Sequence, residues 1–228
     1  MPEALEASVG IGVIHLFCTV GEGTDRAGIE AAVKAAEADD LQVVPVAVLG
    51  HKADVAFMVL GRDWWKLKAF QTAVQVAGMT IIDSYVSMTE LSEYAKGLPE
   101  QMANARLYPV LPPEGMNAWC FYPMSKKREG DDNWFTLPFD ERKDLMMEHG
   151  ASGRKFAGRI VQLITGSAGV DDYEWGVTLF AQKPDDLKEV VYTMRFDEAS
   201  ARYADFGPFI AGAVGSVGEV LDAAGVPD

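Results

Sequence analysis

The chain is poor in cysteine, in histidine and in positive charge. Its two cysteines, Cys18 and Cys120, stand in strand-like apolar segments among 228 residues. They read as buried thiols rather than a disulfide or a metal site, and a cytoplasmic protein is expected. No apolar run approaches the ~18 residues of a membrane-spanning helix. The opening MPEALEASVG has neither a basic start nor an apolar signal core, so no secretory signal is expected. Lys and Arg number 20 against 34 Asp and Glu, a formal net charge of −14. That balance argues against nucleic acid, which requires a basic face. It also repels small anions at long range, so an anionic ligand has to be held by local positive charge. Lys126, Lys127 and Arg128 form one such cluster, and Arg154, Lys155 and Arg159 another. Each reads equally as solvated surface.

What is present suffices for a core: 49% of residues are apolar and 24% charged, as in a soluble domain or two small halves. IGVIHLFCTV reads as a strand and DRAGIEAAVKAAEA as a helix capped by Thr24 or Asp25. LQVVPVAVLG and ADVAFMVLG are strands, RDWWKLKAFQTAVQVAG a helix, and TIIDSYVSMTEL a strand. The order is β-α-β-β-α-β. MNAWCFYPMS, PFDERKDLMMEHGASGRKFAGR, IVQLITGS, YEWGVTLFAQ, the start of PDDLKEVVYTMRFDEASARYADF, and FGPFIAGAVGSV repeat it. A common shift sets Gln42 on Gln162, Asp54 on Glu174, Leu67 on Leu187 and Lys68 on Lys188. The expectation is an α+β fold of two ferredoxin-like repeats, residues 1–97 and 116–228, joined by a Pro-rich linker at 98–115. Helices cover one face of each sheet, so the other must be buried. Two such sheets face to face give a dimeric α+β barrel; the alternative is a sheet that covers a ligand.

Period 2 places Cys120, Tyr122, Met124 and Lys126 on one strand face. A phenol, a thioether and an ammonium in a row make an odd core face. Leu145, His149 and Gly153 share a helical stripe, and Gly150 and Gly153 leave room beside the imidazole. His149 is either a hydrogen-bonded core histidine or an axial ligand to haem iron. Gln162 lies on an otherwise apolar strand, where it serves a neighbouring backbone or faces a ligand. Arg106 in the linker and Ser200 in RFDEASARYADFG could bind carboxylates or face solvent; for Ser200 a cap or turn is the commoner role.

The strings FYPMSKKREGDDNW, EHGASGRKFAGR, QLITGSAGVDDYEWGVTLF and MRFDEASARYADFGPF resemble the coproheme decarboxylases of the chlorite-dismutase-like superfamily. The resemblance covers roughly residues 104–212; before them it rests on element order and the repeat. It implies that the second half binds iron coproporphyrin III and turns two propionates into vinyls, giving haem b, with hydrogen peroxide as oxidant. Tyr122 is then the catalytic tyrosine, which supplies an electron and a proton and becomes the radical that takes hydrogen from a propionate. Lys126 is a propionate's cation or a proton source, His149 the proximal iron ligand and Gln162 the distal group. Arg106, Tyr122, Pro123, Met124, Ser125, Lys126 and Ser200 fall at propionate-binding positions, and Trp134 at a pocket position. Phe135 departs from an expected tyrosine, which removes a local hydrogen bond. The resemblance also implies a homo-oligomeric ring, a pentamer, and a transient contact with coproporphyrin ferrochelatase. The rivals are a chlorite-degrading or peroxidase-like haem enzyme, which would carry a distal arginine where Gln162 stands, and a non-catalytic haem carrier, which needs His149 alone.

Overall fold

The computed structural model describes residues 2–95 and 97–227. The first half runs β1 (Gly12–Thr19), α1 (Arg26–Ala38), β2 (Gln42–Val48), β3 (Val55–Gly61), α2 (Trp64–Val76) and β4 (Thr80–Thr89). α3 (Glu100–Leu107) follows. The second half runs β5 (Ala118–Lys126), the small hairpin β6 (Arg128–Glu129) and β7 (Asp132–Asn133), α4 (Phe139–Arg154), β8 (Ile160–Gly166), β9 (Trp175–Ala181), α5 (Pro184–Met194), α6 (Glu198–Ala201), β10 (Ala204–Phe206), β11 (Ile210–Val214) and α7 (Val217–Ala223). α1 begins where Asp25, not Thr24, caps it, its carboxylate accepting from the Gly28 amide at 3.1 Å.

Each half pairs its strands in the ferredoxin-like order, β2-β3-β1-β4 and β8-β9-β5-β11, all antiparallel. β10 continues along the flank of β5 that β11 begins. The inner faces of the two sheets pack on each other as expected, in one core shared by both halves, and the halves are joined at their edges as well. The sheets meet edge to edge, β4 to β8 at Met88↔Gly166 and Thr89↔Thr165, and β11 to β2 from Gly212↔Val48 to Val214↔Val46. β1 to β5, β8, β9 and β11 thus form a closed ring of pairings. Closure satisfies the edge amides that two stacked sheets would leave bare. The β11–β2 seam requires glycine at 212, where a Cβ would stand 2.4 Å from the Ala47 carbonyl oxygen.

Inward-facing residues fill the barrel, among them Val13, Phe17, Met58, Tyr85, Trp119, Phe121 and Phe180. His15 lies among them, its Nε2 3.1 Å from the Thr178 hydroxyl. Burial pushes its pKa down to about 3, so it is neutral at pH 7. Outside the barrel, α1, α2 and α7 cover the first half through Ile29, Val33, Phe70, Val74 and Leu221, packed on Ile14, Leu16 and Phe57.

Two segments differ from the sequence reading. The linker carries α3, and its end is fixed by Gln42, whose amide donates to the Pro109 carbonyl at 2.8 Å and accepts from the Leu111 amide at 2.9 Å. The last segment, read as a strand as far as Val217, leaves the sheet at Val214 and turns into α7. There Ser216 and Glu219 close a capping box, a signal present in the sequence. The repeat extends to side chains. Asp54 accepts from the Val20 amide at 3.0 Å, and Glu174 from the Lys126 amide at 2.9 Å. Each carboxylate thereby holds the chain where its half's first strand ends. Both cysteines are free and buried, and burial pushes their thiols up to about 12. Among the described residues no helix is long and apolar enough to cross a membrane.

Candidate functional site

The two halves differ at one layer. In the first, α1 buries Ile29, Ala32, Val33 and Ala36 and packs on β2. Its counterpart α4 buries no residue and packs on α5 and α6 instead of on a strand. The physical cause is its outward composition: Phe139–Arg154 holds eight charged or histidine side chains, in FDERKDLMMEHGASGR, and lacks an apolar stripe wide enough to seat on a sheet. The outer face of β8 is therefore open beyond Ile160, which packs with Phe156, and leaves Gln162 exposed and Ile164 44% exposed.

Strand register fills in the rest of that face. Tyr122 pairs with Val177 and Val177 with Ile164; Cys120 pairs with Leu179 and Leu179 with Gln162. Directly opposed residues share a face. Tyr122 and Gln162 thus lie in adjacent rows, two strands apart, about 10 Å across the sheet. Cys120 and Tyr122 pack with Phe156, Val177, Leu179 and Val190, with Met124 against them. The ring of Tyr122 stacks on Phe209 at 4.4 Å and tilts against Phe206 at 5.8 Å. Its hydroxyl makes no hydrogen bond among the described residues, and burial holds the phenol's pKa well above its usual value. A neutral phenol is the form that has a hydrogen atom to give.

Lys126 continues the row beyond the barrel. It is 8% exposed. Its Nζ donates to the Ala199 carbonyl at 2.7 Å and lies 4.3 Å from the centre of the Trp134 ring. Trp134 stands edge-on to Tyr203 in a small cluster with Ala199. Burial lowers the ammonium's pKa to about 8, against the opposing pull of Asp197 and Glu174. It remains a cation at pH 7, with one of its three donors used.

His149 projects from α4 with its side chain 22% exposed. Its Nδ1 lies 3.2 and 3.1 Å from the two carboxylate oxygens of Asp197 and 3.2 Å from the Ser200 hydroxyl. Asp197 is ionised: although burial opposes it, the hydrogen bonds from His149 and Ser200 leave its pKa lowered. A carboxylate only accepts, so Nδ1 carries a proton; in the neutral imidazole the lone pair is then on Nε2. That is the tautomer of a metal-ligating imidazole. Space exists beside it: a Cβ on Gly150 would meet only the Arg154 guanidinium at 3.4 Å, and one on Gly153 only Met194.

The structure thus joins Tyr122, Met124, Lys126, Trp134, His149 and Ser200 through one surface, with α6 as the shared support, and sets Gln162 on the uncovered strand. Ser125 and Pro123 serve the backbone. The Ser125 hydroxyl accepts from the Glu174 amide at 3.2 Å, and the Pro123 carbonyl from the Gly207 amide at 2.9 Å. Arg106 is exposed on α3, with no hydrogen bond or ion pair among the described residues, and nothing links it to that surface. Phe135 is 48% exposed and lies under the Arg128 guanidinium at 4.9 Å. The two basic clusters are partly spent on the chain's own carboxylates: Arg128 pairs with Glu174, and Arg159 with Asp186 and Glu189.

Sequence reasoning missed Asp197, Phe206, Phe209 and Arg195, whose guanidinium stacks on Phe206 at 4.6 Å. Asp197 had a local signal, since an Asp three residues before Ser200 is a helix cap, and its side chain accepts from the Ser200 amide at 2.9 Å.

Fold and site together define an α+β barrel protein with one part of an outer sheet face left open and, on a neighbouring helix, an imidazole held at Nδ1 by a carboxylate. The family model for chlorite dismutase matches residues 25–215, and the chain belongs to that family. A haem-binding protein from Thermus thermophilus is similar in structure at 34% identity, with a TM-score of 0.83 over 98% of this chain and 97% of that one. An arginine-to-glutamate mutant of chlorite dismutase from Candidatus Nitrospira defluvii shares the fold at 18% identity, with a TM-score of 0.76 over 96% and 97%. The same organism's chlorite dismutase in complex with imidazole shares it at 17% identity, with a TM-score of 0.74 over 96% of each chain.

Proposed function

We propose that this protein is a coproheme decarboxylase, converting two propionates of iron coproporphyrin III to vinyls with hydrogen peroxide. The observation that carries the reading is the pairing of Tyr122 and Lys126 on one strand face: a buried neutral phenol with no hydrogen-bond partner, beside a buried ammonium with donors to spare. Among the described residues no three His, Cys, Asp or Glu side chains cluster to hold a bare metal ion. His149 therefore offers a metal one protein ligand, and the others arrive with the metal, as in a porphyrin.

For each vinyl, propionate and peroxide with one proton yield the vinyl, carbon dioxide and two waters, a two-electron oxidation of the side chain. The bound iron supplies the reaction with peroxide. His149 orients the macrocycle from the α4 side. With the group bound, Tyr122 would pass its O–H hydrogen to the peroxide-derived oxidant and, as the phenoxyl, take one from the propionate β-carbon; the second electron would go to the same oxidant as carbon dioxide leaves. Lys126 holds the carboxylate by charge and returns a proton. Gln162 does not titrate and lends at most a hydrogen bond. A pentameric cytoplasmic enzyme that hands haem b onward, with transient contact to coproporphyrin ferrochelatase, belongs to the same proposal.

The haem-binding relative favours a second reading, a haem carrier. Tyr122→Phe separates the two. The phenol has no internal hydrogen bond to lose, so the fold should keep its stability within about 0.5 kcal/mol. Loss of a phenol–carboxylate bond costs about 1.5–3 kcal/mol, roughly ten- to hundredfold in affinity, which excess substrate overcomes. Turnover to vinyl products, followed by mass at saturating substrate with stepwise peroxide, should stay absent. Vinyls formed at the wild-type rate would take Tyr122 out of the mechanism and leave the carrier as the better reading.

A further inference from the structure

We propose that Arg195 binds one of the two propionates that the reaction removes, and so separates substrate from product. The inference rests on the decarboxylase reading. Arg195 stands at the end of α5, as its C-cap. Two residues further on, Asp197 holds the imidazole of His149. One residue before, Met194 packs against the apolar cluster that contains Tyr122. Arg195 thus lies in the stretch of chain that links the two parts of the site. Its guanidinium carbon is 4.6 Å from the centre of the Phe206 ring, and that ring is 5.8 Å from the ring of Tyr122. The charge is felt at the phenol: burial raises the Tyr122 pKa, Cys120 adds to the rise, and Arg195 opposes it.

The guanidinium is also uncommitted. In a chain of net charge −14, its neighbours are spent on the chain's own carboxylates: Arg128 on Glu174, Arg159 on Asp186 and Glu189, Arg202 on Asp132 and Glu198. Arg195 is exposed, and its side chain has no hydrogen bond or ion pair among the described residues. A guanidinium laid on an aromatic face is held in one plane and keeps its edge N–H groups free. That suits a bidentate carboxylate. Lys126 offers a point charge two rows along the strand face from Tyr122, and Arg195 a planar fork beside Tyr122 itself. The site then has one cation for each propionate that leaves. Once its propionate has gone as carbon dioxide, Arg195 has no anion to hold, and the product is bound less tightly through this contact.

The test titrates ferric iron coproporphyrin III and ferric haem b, without peroxide, into wild type, Arg195→Met and Arg195→Lys, followed by absorbance. Arg195→Met should raise Kd for iron coproporphyrin III about tenfold or more and leave Kd for haem b within about twofold. Arg195→Lys, which keeps the charge without the fork, should fall between. Added salt should weaken iron coproporphyrin III binding less in Arg195→Met than in wild type. An equal change in both Kd values would make Arg195 a helix-terminal cation and overturn the proposal, and so would two unmoved values. Vinyl formation by the wild type with peroxide reads the underlying proposal separately. Its absence sinks the decarboxylase, whatever the two Kd values do; vinyls formed alongside unmoved Kd values sink Arg195 alone.

Discussion

Replacement of Lys126 by methionine should make the unloaded protein more stable and less able to hold its ligand. The ammonium's pKa falls from 10.5 to about 8 in the folded chain, with burial as the largest cause. A depression of that size means the charged form costs the folded state about 3 kcal/mol at pH 7. Methionine fills a similar volume without charge. It loses the hydrogen bond to Ala199, which returns about 1–1.5 kcal/mol of that gain. The expected net stabilisation is about 1–2 kcal/mol, or roughly 2–8 °C in Tm for a chain of this size. Chemical denaturation of the unloaded chain at pH 7 reads it directly. pH supplies an independent check. The folded pKa lies below the unfolded one, so between about pH 8 and 10.5 the unfolded wild type binds more protons, and its stability rises with pH across that window. Below pH 8 the penalty is complete; above 10.5 it is gone. The gap between variant and wild type should therefore close as pH rises. A variant less stable than wild type at pH 7, or a gap independent of pH from 8 to 10.5, would refute the reasoning. Function should move the other way. The variant should bind iron coproporphyrin III more weakly, and wild-type affinity should begin to fall above about pH 8, as the ammonium deprotonates.

Three further outcomes are expected. His149→Ala should weaken iron-porphyrin binding and change the ferric absorption spectrum; an unaltered spectrum and affinity would make His149 a core residue held by Asp197. Gln42→Ala leaves the Pro109 carbonyl and Leu111 amide without partners and should cost about 1–3 kcal/mol in denaturation, whereas Gln162→Ala should stay within about 0.5 kcal/mol. Gln162→Ala should alter cyanide affinity of the loaded protein and spare decarboxylation, and complete loss of turnover in the folded variant would give the amide a larger role.

The sequence by itself determined whatever has a short period. The pleat repeats every two residues, so Cys120, Tyr122, Met124 and Lys126 had to share a face wherever the strand was placed. The element order, repeated, was enough for two ferredoxin-like halves, and the site strings around Tyr122, His149 and Gln162 were legible as a resemblance. The tertiary structure decided what depends on partners distant in the chain. His149 and Asp197 are 48 residues apart, and no local pattern says that the carboxylate will reach Nδ1. Ser200 was legible as a candidate carboxylate binder, but only the fold sets its hydroxyl 3.2 Å from the imidazole. The joining of the halves by edges could not be read either, since an edge strand's sequence does not name its neighbour. Gln42 and Gln162 make the contrast plainest. They match in the repeat, yet one ties down the linker and the other is left exposed. Their difference arises because Gln42 meets the linker that follows its half, while α4 packs on α5 and α6 and leaves Gln162 exposed.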